Sequence, residues 1–169
     1  MRLACVTSLR RGDVDLVLHR FSEQLLTRGV AVEGLVQINS DCGPDKPCDM
    51  DARVLPVGPV FRISQALGAG SAGCRLDPSA LERAVGLVGA RLSAETQLLI
   101  INKFGKQEAE GRGFREVIAE ALVRDIPVVV GLSALNRPAF EEFAGDLALP
   151  LAPDLDALMA WFDGMGAVA

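Results

Sequence analysis

The stretch INKFGKQEAEGRG, residues 101–113, gathers amides, two lysines, two glutamates, an arginine and three glycines within a dozen positions. Lys103, Lys106 and Arg112 could hold an anion, Asn102 could donate or accept, and Glu108 and Glu110 stand close by. The segment follows the apolar run TQLLII, and in open α/β sheets ligands bind outside the carboxyl ends of the strands. The end of a buried strand is also where a nucleotide hydrolase keeps its magnesium-binding acid. Asn102 and Lys103 occupy that point here, so magnesium is not expected from the motif. The alternative is an ordinary solvated loop.

A second candidate is SLRRGDVD. A loop between a first strand and a first helix can cradle phosphate on its backbone N–H groups. A working phosphate loop reads G-x-x-x-x-G-K-[ST], with the lysine on the terminal phosphates and the hydroxyl on magnesium. Gly12 fits the last glycine, but Asp13 stands in place of the lysine and Val14 in place of the hydroxyl. Arg10 and Arg11 could supply positive charge instead, while Asp13 could simply cap its helix.

The third is GAGSAGCRLDP, 68–78, where glycine backbone, Ser71, Gly73 and Arg75 could converge on a tetrahedral oxyanion such as molybdate; an unspecialised flexible connection is the alternative. The fourth is 42–51, where Cys42 and Cys48, with Cys74, are weak candidates for a metal or redox site. Their spacing exceeds the usual C-x₂₋₄-C of zinc. Cys5 lies in an apolar run and reads as a small core residue. His19, the sole histidine, falls off the apolar stripe of its helix and reads as a surface residue.

These loops need a scaffold, and the apolar periodicity supplies one. RLACVT (2–7), VAVEGLVQI (30–38), TQLLII (96–101) and IPVVVGL (126–132) read as strands, with further strands near ARVLPV and DLALPLA. TQLLII and IPVVVGL are apolar throughout, as in strands covered on both faces. Val14, Val17, Leu18, Phe21 and Leu25 recur at helical spacing and stop at Gly29. Asp77 and Pro78 open another helix with N-cap and first-turn chemistry. Helices follow near 114–122, 137–144 and from Pro153 onward, with a short one in FRISQALG. Strand and helix alternate, which predicts one three-layer αβα domain over 1–169 with a mainly parallel sheet.

The bulk figures agree. Half of the 169 residues are hydrophobic and the net charge is −5. With no basic run, a nucleic-acid partner is not expected. No apolar run approaches the ~20 residues that span a bilayer, and a cytoplasmic address with no membrane insertion follows as the expectation.

Asn102-Lys103-Phe104-Gly105-Lys106-Gln107-Glu108, followed by Phe114-Arg115, shares its frame with a strand ending in Asp-Glu-Ile-Gly-x-x-Glu and a helix starting near Phe-Arg. That is the pattern of small P-loop nucleoside-triphosphatases. The whole chain resembles an uncharacterised bacterial family distantly similar to those enzymes, with degenerate Walker A and Walker B motifs. The glycine and second glutamate match; the Asp-Glu pair and the P-loop lysine do not. The resemblance implies a P-loop-type fold, and a link to molybdate-transport genes.

Three functions are consistent with these residues. The first is a binding module holding a small anion, either an oxyanion such as molybdate or tungstate or a nucleotide, without efficient hydrolysis. The second is a divergent nucleoside-triphosphatase in which Lys103, Lys106 or Arg11 replaces the missing lysine and Glu108 orients water. The third is a regulatory module that binds another protein or a second copy of itself as a homo-oligomer.

Overall fold

A computed structural model describes residues 2–10, 12–39, 50–65 and 76–166. The elements in chain order are β1 (Leu3–Thr7), α1 (Asp13–Thr27), β2 (Val32–Asn39), β3 (Met50–Leu55), β4 (Val60–Arg62), α2 (Pro78–Arg91) and β5 (Leu98–Phe104). They continue with α3 (Lys106–Ala109), α4 (Arg115–Val123), β6 (Val128–Leu132), α5 (Arg137–Ala144), β7 (Ala148–Leu151) and α6 (Leu155–Gly166). The strands form one sheet in the order β4-β3-β2-β5-β6-β1-β7. The ladders from β2 through β5, β6 and β1 to β7 are parallel, and β3 and β4 pair antiparallel at one edge. This is the expected three-layer αβα arrangement with a mainly parallel sheet.

The period-2 geometry of a strand divides the apolar runs between two cores. Leu99, Ile101, Val128 and Val130 face one cluster, built with α2, α4 and α5. Leu98, Ile100 and Val129 face the other, built with α1 and α6. Each such side chain withdrawn from water contributes about 1.5–3 kcal/mol, so both faces of β5 and β6 are strongly held. The stripe Val14, Val17, Leu18, Phe21 and Leu25 lays α1 on the second face. Asp77 caps α2 by accepting from the N–H groups of Ser79 and Ala80 at 2.9 and 3.2 Å.

Two local expectations are corrected. A short helix was expected in FRISQALG; its described residues instead belong to a strand, Val60–Arg62, and a bridge from Ser64 to Leu76, and residues 66–68 lie outside the described residues. Phe61 and Arg62 pair with Ala52 and Asp51 of β3, and the Arg62–Asp51 ion pair at 2.7 Å holds the register across the strands. The polar segment expected after TQLLII is also more ordered than a loop. β5 runs on through Asn102 and Lys103 to Phe104 because its pairing with β6 continues, and α3 follows directly.

Candidate functional site

The carboxyl ends of β1, β2, β5 and β6 converge at the amino end of α1. Gly12, at φ 88°, turns the chain from the β1 loop into the helix. This is a left-handed conformation that other residues adopt only with strain. Asp13 opens the helix, and its Oδ2 accepts a hydrogen bond from Ser8 Oγ at 3.0 Å, which in turn accepts from the Arg10 N–H at 3.1 Å. Asp13 therefore braces the loop from within, in keeping with the preference of acids for the positive end of a helix.

The centre of the site is a residue absent from the sequence-based candidates. Asp15 is 5% exposed. Its Oδ2 accepts from Asn39 Nδ2 at 2.6 Å, and its Oδ1 accepts from Asn102 Nδ2 at 3.0 Å and pairs with Lys103 Nζ at 3.1 Å. Gln37 Nε2 donates to Asn39 Oδ1 at 2.7 Å and extends the network along β2. Consecutive strand residues normally point to opposite faces. Here the β5–β6 register shifts between Asn102 and Phe104, leaving Lys103 as an extra residue. Such a bulge re-aims side chains, which lets both Asn102 and Lys103 reach the same carboxylate. A buried charge persists when it is paired and hydrogen-bonded, and Asp15 is both. Its sequence signal was weak: an acid in a first helical turn has an ordinary explanation.

Glu108 has a different place from the one expected of a water-orienting group. It is 1% exposed, and both carboxylate oxygens accept backbone N–H groups, Oε2 from Gly105 at 2.8 Å and Oε1 from Phe114 at 3.0 Å. Burial pushes its carboxyl above the usual range; the two backbone hydrogen bonds oppose this and nearby Glu82 adds to it. Gly113, at φ 60°, passes so close that a Cβ there would lie 2.1 Å from Glu108 Oε1. Glu108 thus shapes the turn between β5 and α4. On the outside of that turn, Lys106 pairs with Glu110 at 3.8 Å and Arg112 pairs with the same carboxylate. Two of the three expected cations are therefore tied to a shared acid.

Of the expected residues, Arg10, Gly12 and Lys103 come together. They line a cleft of about 280 Å³ with Ser8, Asp15 and Ser133. Lys103 is a third exposed, and the Arg10 guanidinium is exposed with no partner among the described residues. Asn102 lies beneath, as a donor to Asp15, while Gly105, Lys106, Glu108 and Arg112 belong to the neighbouring turn. His19 is half-buried, and with Asp15, Gln37 and Asn39 it lines a second cleft of about 240 Å³ across α1. Arg11, Cys42, Cys48, Ser71, Gly73, Cys74 and Arg75 lie outside the described residues. Among the described residues no three His, Cys, Asp or Glu side chains gather in a metal-binding group, and no helix is long and apolar enough to cross a membrane.

The profile of the DUF2478 family, described as proteins of unknown function, matches residues 3–161. The chain belongs to this family. It is 32% identical over 161 residues to the molybdenum import ATP-binding protein ModC 2 of Bradyrhizobium diazoefficiens, covering 95% of this chain and 18% of that protein. This DUF2478 chain thus spans less than a fifth of the length of that relative. The solution structure of a human cancer-related nucleoside triphosphatase superposes with a TM-score of 0.64 at 18% identity, covering 99% of this chain and 97% of that one. The fold is accordingly a three-layer αβα fold similar to that of a nucleoside triphosphatase. The acid Asp15 sits in the first turn of α1 and Lys103 near the end of β5.

Proposed function

We propose that this domain binds a small anion at the β1–α1 edge and does not hydrolyse nucleoside triphosphates efficiently. The observation that carries the reading is the Asp15–Lys103 pair at 3.1 Å. A magnesium-dependent hydrolase needs a free acid at the end of the strand and a free cation at the start of the helix. Here Asp13 stands at the helix-start lysine position, and the strand-end cation Lys103 is bonded to a second acid, Asp15, two residues further on. Lys103 nevertheless reaches the cleft, where Arg10, Ser8 and Ser133 could complete a donor set for a tetrahedral oxyanion or a phosphate group. An entering anion competes with Asp15 for Lys103. Molybdate and tungstate merit inclusion because the ModC 2 relative is named for molybdenum import.

Calorimetric titration with molybdate, tungstate, sulfate, phosphate and nucleotides tests the proposal. Saturable binding that disappears in Lys103→Met is expected. Absence of binding by every anion in the panel would eliminate it. A regulatory surface is the second reading, because Leu9 in the β1–α1 loop and Leu135 in the β6–α5 turn stand 99% and 86% exposed beside this edge. Such side chains mark interaction sites when they cluster. Loss of self-association or partner capture in Leu9→Ser, with anion binding retained, would separate the two.

A further inference from the structure

The polar groups of the anion cleft differ in whether they still have a hydrogen to give. Lys103 gives one ammonium hydrogen to Asp15 and keeps the others for a ligand. Ser133 Oγ accepts from Asn136 Nδ2 at 3.1 Å, and its own O–H meets no acceptor among the described residues. The exposed Arg10 guanidinium adds further donors. Two other groups that line the same cleft have none to spare. Ser8 spends its single hydroxyl hydrogen on Asp13 Oδ2 at 3.0 Å, so it can donate to a ligand only by leaving Asp13. Asp15 takes hydrogens from Asn39, Asn102 and Lys103 at 2.6, 3.0 and 3.1 Å. A carboxylate has about four acceptor positions, so Asp15 keeps one. The demand of Asp15 for donors fixes its neighbour. Turning the Asn102 amide over would set its oxygen against the carboxylate, and its Oδ1 instead lies buried with no hydrogen-bond partner.

The cleft thus offers donors to oxygen and an acceptor to hydrogen. An oxyanion without a proton satisfies only the donors, and its negative oxygens face Asp15 uncompensated. One with a hydroxyl satisfies both sets, and the repulsion becomes a charge-assisted hydrogen bond. We propose that the cleft selects oxyanions that keep a proton at neutral pH, orthophosphate and arsenate, over sulfate, molybdate and tungstate, with Asp15 accepting the ligand's hydrogen. This inference rests on the anion-binding reading. Lys103 supplies the attraction, and Asp15 supplies the choice between anions.

Fluorophosphate is the matched probe, because it has the size and charge of the phosphate dianion with fluorine in place of the hydroxyl. Calorimetry on the full chain, at neutral pH and one ionic strength, compares it with phosphate, arsenate, sulfate and tungstate. Phosphate and arsenate are expected to bind at least about tenfold more tightly than the three proton-free anions, as a hydrogen bond to a charged group provides. In Asp15→Asn every anion should gain from the lost charge and the proton-free ones most, so the preference for phosphate should fall to within about threefold. Circular dichroism confirms that the variant folds, and the wild-type comparison decides by itself if it does not. Equal affinity for phosphate and fluorophosphate in the wild type, or an undiminished preference in folded Asp15→Asn, would overturn this inference and leave the anion reading intact. Failure of all five anions to bind would overturn the anion reading, and the selectivity with it.

Discussion

Replacing Asp15 with Asn should strengthen anion binding, the opposite of what removal of a buried site residue usually does. In the wild type the Asp15 carboxylate lies 3.1 Å from Lys103 Nζ, with its side chain 7% exposed and that of lysine 33% exposed. An anion seated on Lys103 would stand roughly 5 Å from Asp15. Two unit charges at that distance repel by about 0.8 kcal/mol in water and about 3 kcal/mol at an effective dielectric of 20. The cleft lies between those limits, so neutralising Asp15 should improve affinity by about 1–2 kcal/mol, roughly 5- to 30-fold. The new amide presents N–H to donors on Asn39 or Asn102, and the fold should lose about 1–3 kcal/mol from that mismatch. Calorimetry with phosphate and tungstate, well below the melting temperature and at two salt concentrations, reads the affinity. Unchanged or weaker binding in Asp15→Asn would refute the competition between Asp15 and the ligand for Lys103.

Lys103→Met should remove anion binding and lower stability by about 1–3 kcal/mol in urea unfolding. This is less than the cost of breaking a fully buried pair, because Lys103 is partly solvated and Asp15 keeps two amide donors. Glu108→Ala strands the N–H groups of Gly105 and Phe114 and should cost about 2–5 kcal/mol on the same measurement. Gly113→Ala should destabilise the same turn, measured as a drop in melting temperature, because a Cβ there overlaps Glu108. The stability of wild type relative to Glu108→Gln should rise as pH falls. Burial raises the folded carboxyl above its unfolded value, so the folded state binds the extra proton and gains stability as pH falls through the folded value. Paired urea titrations between neutral pH and the ordinary carboxylate range check this; a difference that narrows on acidification contradicts it.

The scaffold was legible because its signals are local. The apolar runs of β5 and β6, the stripe on α1 and the Asp77–Pro78 helix start are complete within a few residues of sequence. The site depends on separations that periodicity does not register. Asp15 meets Asn39 and Asn102 from 24 and 87 positions away, and a single extra residue in β5 decides that Lys103 joins them. Lys103 was recognisable as a cation at a strand end, but its acidic partner was not. Glu108 was visible as a glutamate in the right frame, whereas its engagement by Gly105 and Phe114 depends on the backbone path through Gly113. The β3–β4 edge was partly missed because Val60–Arg62 is too short to establish alternation.

The proposal that the Asp15–Lys103 pair marks a non-hydrolysing site is tested most directly by steady-state phosphate release from ATP and GTP with magnesium. The wild-type chain is expected to release none above the rate without protein, while phosphate or tungstate still binds it in calorimetry. Sustained turnover that requires magnesium and is lost in Lys103→Ala would contradict a non-hydrolysing site.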